Sequence, residues 1–285
     1  MPHHGVSEYG PKPSEGGRLR NSCLFSKDTI CFWRSSDTVV RQQQMNLLFD
    51  LDGTLTDPFQ GITKCIMHAL IAMGRPSPTA ENLRWCIGPP LKNSFLILLD
   101  SEDDRLAEEA LAIYQERFGT IGLFENELYP DIHQALGDLA RMGHGLFVAT
   151  SKPSPYAERI VEHFGLQKYF QGVYGSDLDG TRSDKSALIS YILQQESIAS
   201  SDTIMIGDRK HDVVGAKANG LAAVGVLWGY GTKDELDQSG ADICASSPRH
   251  LVDAVRILGN QRMQRMTLRA AADASRSDVD PLSDL

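Results

Sequence analysis

The sequence predicts an α/β fold: a three-layer parallel sheet carrying an inserted all-helical domain. Three observations support this. Short apolar runs of strand length, each closed by a turn signal, alternate with helical spacing from Tyr129 onward. Between Thr56 and Glu127 almost nothing reads as strand, so about seventy residues of helical pattern separate the first strand from the second. The first strand, Leu47-Leu48-Phe49, runs into Asp50 and Asp52 and then a turn at Gly53. Strands that alternate with helices need right-handed crossovers, which build a parallel sheet covered on both faces. Such sheets bind ligands at the C-terminal ends of their strands, where these two acids stand.

Length and composition narrow the possibilities. A chain of 285 residues holds one large domain or a domain with an insertion. With 41% hydrophobic and 23% charged residues, its composition is that of an ordinary globular protein. The net charge of -9 argues against non-specific binding to a nucleic-acid polymer, which needs a basic footprint. An anionic substrate must then be drawn in by a local positive group or a metal. The five cysteines, Cys23, Cys31, Cys65, Cys86 and Cys244, form no CxxC pair, which fits a reducing cytoplasm better than a disulfide framework or a zinc site. The longest apolar stretch, Gly220 to Gly229, is too short to span a bilayer. No charged segment followed by an apolar run opens the chain, so no secretory signal is expected.

Taken in order, residues 1–44 are rich in Gly, Pro, Ser, Arg and Gln and sustain no period, so they read as a flexible extension. Their only dense apolar patch is Cys31-Phe32-Trp33, and His3-His4 reads as an ordinary terminal pair. Met45 directly precedes the first core strand; one hypothesis makes it the natural start and the segment before it an extension or a misassigned start, and N-terminal peptides from residues 1–44 in mass spectrometry of the native protein would overturn it. Gly61 to Gly74 has helical spacing at Ile62, Ile66, Leu70 and Met73, and Pro76 and Pro78 end it. Thr79 to Trp85 reads as a short helix capped by Thr79, and Ile87-Gly88-Pro89-Pro90-Leu91 as a rigid turn. Ser101 to Asp104 open a helix that Gly119 ends. The expected boundaries are a core at 45–57 and 128–260, a helical insertion at 58–127 and a mobile tail at 261–285.

Within the core, Asp131 to Met142 is helical, and Gly145 to Ala149 is a strand ending in Thr150-Ser151-Lys152. Ser154 is expected to cap a helix with Pro155 at its first position, the helix running to Phe164-Gly165. Gly172 to Gly175 is a short strand, and Ser183 is expected to cap the helix carrying Leu188, Ile189 and Ile192. Thr203 to Ile206 is a strand ending in Gly207-Asp208, and the helix after Asp212 stops at Asn219-Gly220. Ala223 to Leu227 is a further strand, Asp242 to Cys244 an edge candidate, and Ser247-Pro248 starts a last helix through Leu258.

Parallel strands deliver their C-terminal ends to one edge, and four of these ends carry groups suited to phosphate chemistry. They are Asp50 with Asp52, Thr150 with Ser151, the Ser176 to Arg182 loop leading to Lys185, and Asp208 with Asp212. Each group alone reads as a cap or a solvated surface residue; their convergence on one edge is what points to a site. The acid pair could hold a magnesium ion, attack a phosphorus atom or shuttle a proton. The hydroxyls of Thr150 and Ser151 suit phosphate oxygens.

Asp50-Leu51-Asp52-Gly53-Thr54 resembles the Asp-x-Asp-Gly-Thr signature of the haloacid dehalogenase (HAD) superfamily of phosphatases. Thr150, Lys185 and Gly207-Asp208 with Asp212 match the other three motifs in order, and the likeness covers about residues 45 to 258. Its Ala149 to Pro153, Gly175 to Arg182 and Gly207 to Asp212 segments are most similar to the phosphoglycolate phosphatase and 5′-nucleotidase branch. The resemblance implies a Rossmann-like core with a helical cap, and hydrolysis of a small phosphometabolite such as 2-phosphoglycolate or a nucleoside 5′-monophosphate. It implies Mg2+ held by Asp50, the Asp52 backbone carbonyl and Asp208, with Asp212 orienting these ligands. It further implies Asp50 as nucleophile, Asp52 as acid and base, Thr150 and Lys185 on the phosphoryl group, and Gly53 opening the backbone to phosphate. The Gly88 to Lys92 turn is the candidate sensing loop, with Lys92 a possible leaving-group contact, and Arg209 or His211 could face the cap.

Other readings stay open at this point. A phosphomutase-like transferase shares the catalytic set, and a non-catalytic phosphometabolite-binding module shares the fold. A dehalogenase proper needs neither Asp52 nor Asp208. An EF-hand is excluded, because the twelfth position from Asp50 is Gly61. Oligomeric state, monomer or dimer, is not legible.

Overall fold

The computed structural model describes residues 44–277, with side chains through 268. The expected extension up to Gln43, its apolar patch and histidine pair, and the end of the expected tail lie outside the described residues.

In chain order the elements are β1 (Asn46–Phe49), β2 (Thr56–Asp57), α1 (Phe59–Ala72), α2 (Leu91–Leu98), α3 (Asp104–Thr120), β3 (Glu127–Leu128), α4 (Ile132–Arg141), β4 (Gly145–Pro153) and α5 (Ser154–His163). They continue with β5 (Gly172–Ser176), α6 (Lys185–Gln195), β6 (Thr203–Gly207), α7 (Lys210–Ala218), β7 (Ala222–Val226), α8 (Lys233–Gln238), β8 (Ile243–Ala245) and α9 (Leu251–Ser277). The main sheet is parallel throughout, in the order β5-β4-β1-β6-β7-β8. The chain leaves β1 to one side through β4 and β5, then returns to the other side at β6. The crevice between β1 and β6 is therefore the topological switch point, where open α/β sheets place their ligands.

Strand alternation builds the three layers. Leu47 and Phe49 face a core shared with α4, α5 and α9, which continues into α1 and α3. Leu48, Phe147, Ala149 and Met205 face the opposite core, against α6, α7 and α8. Between β2 and β3 every described element is helical, and these two short strands pair antiparallel at the base of the block. Among the described residues no helix is long and apolar enough to cross a membrane.

Several local expectations change. The short helix expected after Thr79 is a 3₁₀ helix over Glu81–Cys86, and Asn82 N–H does reach Thr79 Oγ1 at 3.4 Å. The expected Gly88 turn is followed at once by α2, because Pro90 fixes φ just before the first helical residue. Ser154 begins α5 without capping it, as its Oγ accepts Gly175 N–H at 3.0 Å. The cap of α6 is Asp184, whose carboxylate accepts Ala187 N–H at 2.9 Å, rather than Ser183. The last helix runs beyond Leu258 to Ser277, through the segment expected as a mobile tail. Gln261 to Ala272 lacks a clean apolar stripe but is rich in Ala, Arg, Gln and Met, whose intrinsic propensity favours helix.

Candidate active site

The end of β1 and the end of β6 meet first. Asp50 N–H donates to Ile206 O at 2.9 Å, which pins the acid at the crevice. Beyond it the chain turns tightly: Thr54 and Leu55 N–H groups both return to Leu51 O, and Gly53 sits at φ +86°. A Cβ at Gly53 would lie 2.3 Å from Asp208 Oδ2, so the turn can pass this acid only as glycine. Asp208 is fully buried and accepts Tyr230 N–H at 2.7 Å, while Thr54 Oγ1 approaches its other oxygen at 3.5 Å. The loop after β7 closes the same corner, with Trp228 Nε1–H donating to Thr54 O at 3.0 Å.

Asp212 stands in the first turn of α7, where its Oδ2 accepts Arg209 N–H at 3.1 Å. Carboxylate oxygens of Asp50, Asp208 and Asp212 lie within 4.8 Å of one another, and all three residues are buried. The one ammonium among them belongs to Lys185, at 2.9 Å from Asp50 Oδ1, 2.8 Å from Asp212 Oδ1 and 2.9 Å from Ala149 O. Burial pushes Asp208 well above the usual carboxylate range, and the charges of Asp212 and Asp50 push it further. Burial likewise lifts Asp212 to about 6, against the pull of Lys185. Burial alone would lower Lys185, but Asp212 and Asp50 hold its ammonium above the ordinary lysine value.

Asp52 belongs to a different charge pair. Its Oδ2 meets Lys152 Nζ at 2.8 Å, with both side chains nearly buried. Its Oδ1 is buried without a hydrogen-bond partner. Burial raises the Asp52 carboxyl despite the lowering effect of Lys152. Lys152 follows Thr150 by two residues at the irregular end of β4, and both line the cavity. Its N–H donates to Thr150 Oγ1 at 3.2 Å.

A cavity of about 350 Å³ opens over these groups. Asp50, Asp52, Thr150, Ser151, Lys152 and the Asp177 to Gly180 loop form its floor and one side; Leu91, Leu111, Tyr114 and Phe118 form the helical wall. The sequence-predicted residues thus fall into three groups. Asp50, Lys185, Asp208 and Asp212 form one charged cluster, with Gly53 packed against it. Thr150 and Asp52 line the cavity beside it. Ser151 also lines the cavity, but its Oγ–H donates to Ser183 O at 2.9 Å, so that hydrogen ties the end of β4 to the loop before α6.

Lys92 lies on α2 rather than in a loop; it lines the cavity, and its ammonium is paired at the surface with Asp104 at 3.1 Å and Glu108 at 3.0 Å. Arg209 does reach the helical block: its Nη1 donates to Ile87 O at 2.6 Å, and its Nε to Glu235 at 3.0 Å. Sequence reasoning missed Lys152 and the Trp228 to Tyr230 loop. The position of Lys152 directly after Thr150-Ser151 at the strand end was the available signal for the first. A backbone N–H donor such as that of Tyr230 leaves no trace in residue identity.

The profile of the haloacid dehalogenase-like hydrolase family matches residues 47–226. The chain is 46% identical over 191 residues to a 5′-nucleotidase of Pseudomonas aeruginosa, covering 67% of this chain and 86% of that one. It is 38% identical over 197 residues to the tyrosine-protein kinase PtkA of Mycobacterium tuberculosis, covering 69% of this chain and 67% of that protein. The crystal structure of a predicted phosphatase from Clostridium acetobutylicum superposes with a TM-score of 0.69 at 41% identity, covering 75% of this chain and 97% of that one. With the acid pair at the switch point and the other three motifs around it, the chain belongs to the haloacid dehalogenase-like hydrolase family and is an enzyme of its phosphatase type.

Proposed function

We propose that this chain is a magnesium-dependent phosphomonoesterase acting on a small phosphometabolite, with nucleoside 5′-monophosphates favoured over 2-phosphoglycolate. The observation that carries the reading is the separation of the two acids. Asp50 is paired with Lys185 inside the three-carboxylate cluster, whereas Asp52 is paired with Lys152 beside it.

The cluster fits a magnesium ion. Three buried carboxylates face one ammonium, and a buried charge imbalance of this kind is costly without a further cation. The donor set is all oxygen, which suits a hard divalent ion. Asp50 and Asp208 would hold it together with the Asp52 backbone carbonyl, and Asp212, in the same cluster, would hold or orient it. Bound there, magnesium supplies a positive charge that relieves repulsion between Asp50 and a phosphate dianion.

Asp50 attacks the phosphorus, the ester P–O bond breaks, and Asp52 gives the departing alkoxide a proton through its free Oδ1. Asp52 then takes a proton from a water whose oxygen attacks the aspartyl-phosphate, releasing phosphate and restoring Asp50. Lys185 steadies the nucleophile, and Thr150 donates to the transferring group. Positioning and charge dominate catalysis of such a loose transition state. The helical block would act as the lid that excludes water.

The cavity wall favours a neutral leaving group. Among the described lining residues the cations are Lys92 and Lys152, each paired with carboxylates, which disfavours the extra carboxylate of phosphoglycolate. The apolar and aromatic side chains opposite suit a nucleoside. The likeness to the tyrosine-protein kinase supports a second reading, in which a hydroxyl acceptor replaces water. Purified protein tested on nucleoside 5′-monophosphates and 2-phosphoglycolate, with magnesium and with chelator, should release phosphate only with magnesium. Asp50→Asn should fall to background. Absence of turnover across the panel refutes the hydrolase reading, and label moving from substrate to a protein hydroxyl supports the second one.

A further inference from the structure

Lys152 is almost fully enclosed, with 5% of its side chain exposed, and has two unlike neighbours. One is Asp52 Oδ2 at 2.8 Å, on the core side. The other is the ring of Phe118, whose centroid lies 4.4 Å from the ammonium. Phe118 belongs to α3 of the helical block and is itself held by neighbours, stacked on Tyr114 at 5.2 Å and edge-on to Tyr156 at 5.4 Å. A buried ammonium is tolerated only where its charge is met, and here a carboxylate and an aromatic face share that task.

We infer that Lys152 is the positioning residue for Asp52, and that Phe118 makes this positioning depend on where the helical block sits. The inference rests on the reading of Asp52 as proton donor. Holding Oδ2 fixes the carboxyl plane and leaves Oδ1, buried and unpartnered, for the leaving-group oxygen. The ammonium also stabilises the carboxylate that remains once the proton has gone. With Phe118 in place the ammonium is shielded from water and bound tightly to Asp52. Without Phe118 it would be free to hydrate and swing away. Proton donation is thereby tied to closure over a substrate.

The readout is sensitivity to the leaving group. A 4-nitrophenolate departs without a proton, whereas a ribose 5′-alkoxide needs one. The quantity kcat/KM covers all steps through departure of that group. For the wild-type protein and for Asp52→Asn, Lys152→Met, Lys152→Arg and Phe118→Leu, kcat/KM is measured on a nucleoside 5′-monophosphate and on 4-nitrophenyl phosphate. Lys152→Met should copy Asp52→Asn, losing about 100-fold or more on the nucleotide and under about tenfold on the aryl ester. Lys152→Arg should recover most of that loss. Phe118→Leu should lose about fivefold, on the nucleotide alone. Thermal denaturation verifies that each variant is folded.

Equal losses on both substrates in folded Lys152→Met overturn the positioning role while leaving the phosphatase reading intact. Phe118→Leu behaving as wild type overturns the dependence on the helical block. A wild-type protein that hydrolyses neither ester overturns this inference together with the reading beneath it.

Discussion

Replacing Lys185 by methionine removes the one ammonium inside the acidic cluster while keeping most of the side-chain volume. The structure sets the size of the effect. Lys185 has 4% of its side chain exposed and contacts Asp50, Asp212 and the Ala149 carbonyl. Breaking a buried charge pair from one side costs about 3–5 kcal/mol. An orphaned carbonyl adds about 1–3 kcal/mol. The loss is limited because Asp212 can take up a proton. Asp212 already binds its proton up to about 6 in the folded protein, and it would do so to higher pH without Lys185.

The sign follows from the direction of that shift. A carboxyl whose folded value is raised favours the folded state at low pH, and that advantage is lost as pH climbs from the unfolded value through the folded one. The ammonium of Lys185 is held above its ordinary value, so it stays charged throughout the assay. The variant should therefore lose about 4 kcal/mol near neutral pH and about half of that near pH 5, where Asp212 is protonated. Urea unfolding in chelator at both pH values measures this. A loss under about 1 kcal/mol near neutral pH, or an equal loss at both values, would refute the reasoning.

Two further outcomes are expected. Gly53→Ala should cost about 1–3 kcal/mol and most of the activity, because its φ of +86° disfavours any side chain and its Cβ would lie 2.3 Å from Asp208 Oδ2; unfolding and phosphate-release assays check both, and a wild-type profile would contradict the close packing. Magnesium at a hundredfold over its dissociation constant should stabilise the protein by about 2.7 kcal/mol. That gain should shrink below about pH 6, where Asp212 holds a proton, and should vanish in Asp208→Asn; calorimetric scans at two pH values read it.

Much of this molecule is legible locally. The apolar run Leu47 to Phe49 followed by Asp50-Leu51-Asp52-Gly53 identifies a buried strand and its turn, since periodicity and turn chemistry act over a few residues. Successive apolar runs after Tyr129 identify the other strands, and the parallel order follows from the helices between them. Short or weakly patterned helices were harder. In α2 a proline marks both a turn and a helix start, and α9 continues on propensity without a stripe.

Residue identities and spacing determined that Asp50, Asp52, Thr150, Lys185 and Asp208 gather at one sheet edge. Tertiary structure alone decided their pairing: Lys185 with Asp50 and Asp212, Lys152 with Asp52, and Lys92 with two acids of its own helical block. Each pairing is a contest among charges brought close by packing, and no local rule names the winner. Phe118 is the clearest case. In the sequence it is one apolar position on an amphipathic helix; in the fold it covers the ammonium that holds Asp52. Side-chain patterning is a property of neighbouring residues, but charge partnership depends on burial and distance, which exist only once the chain has folded.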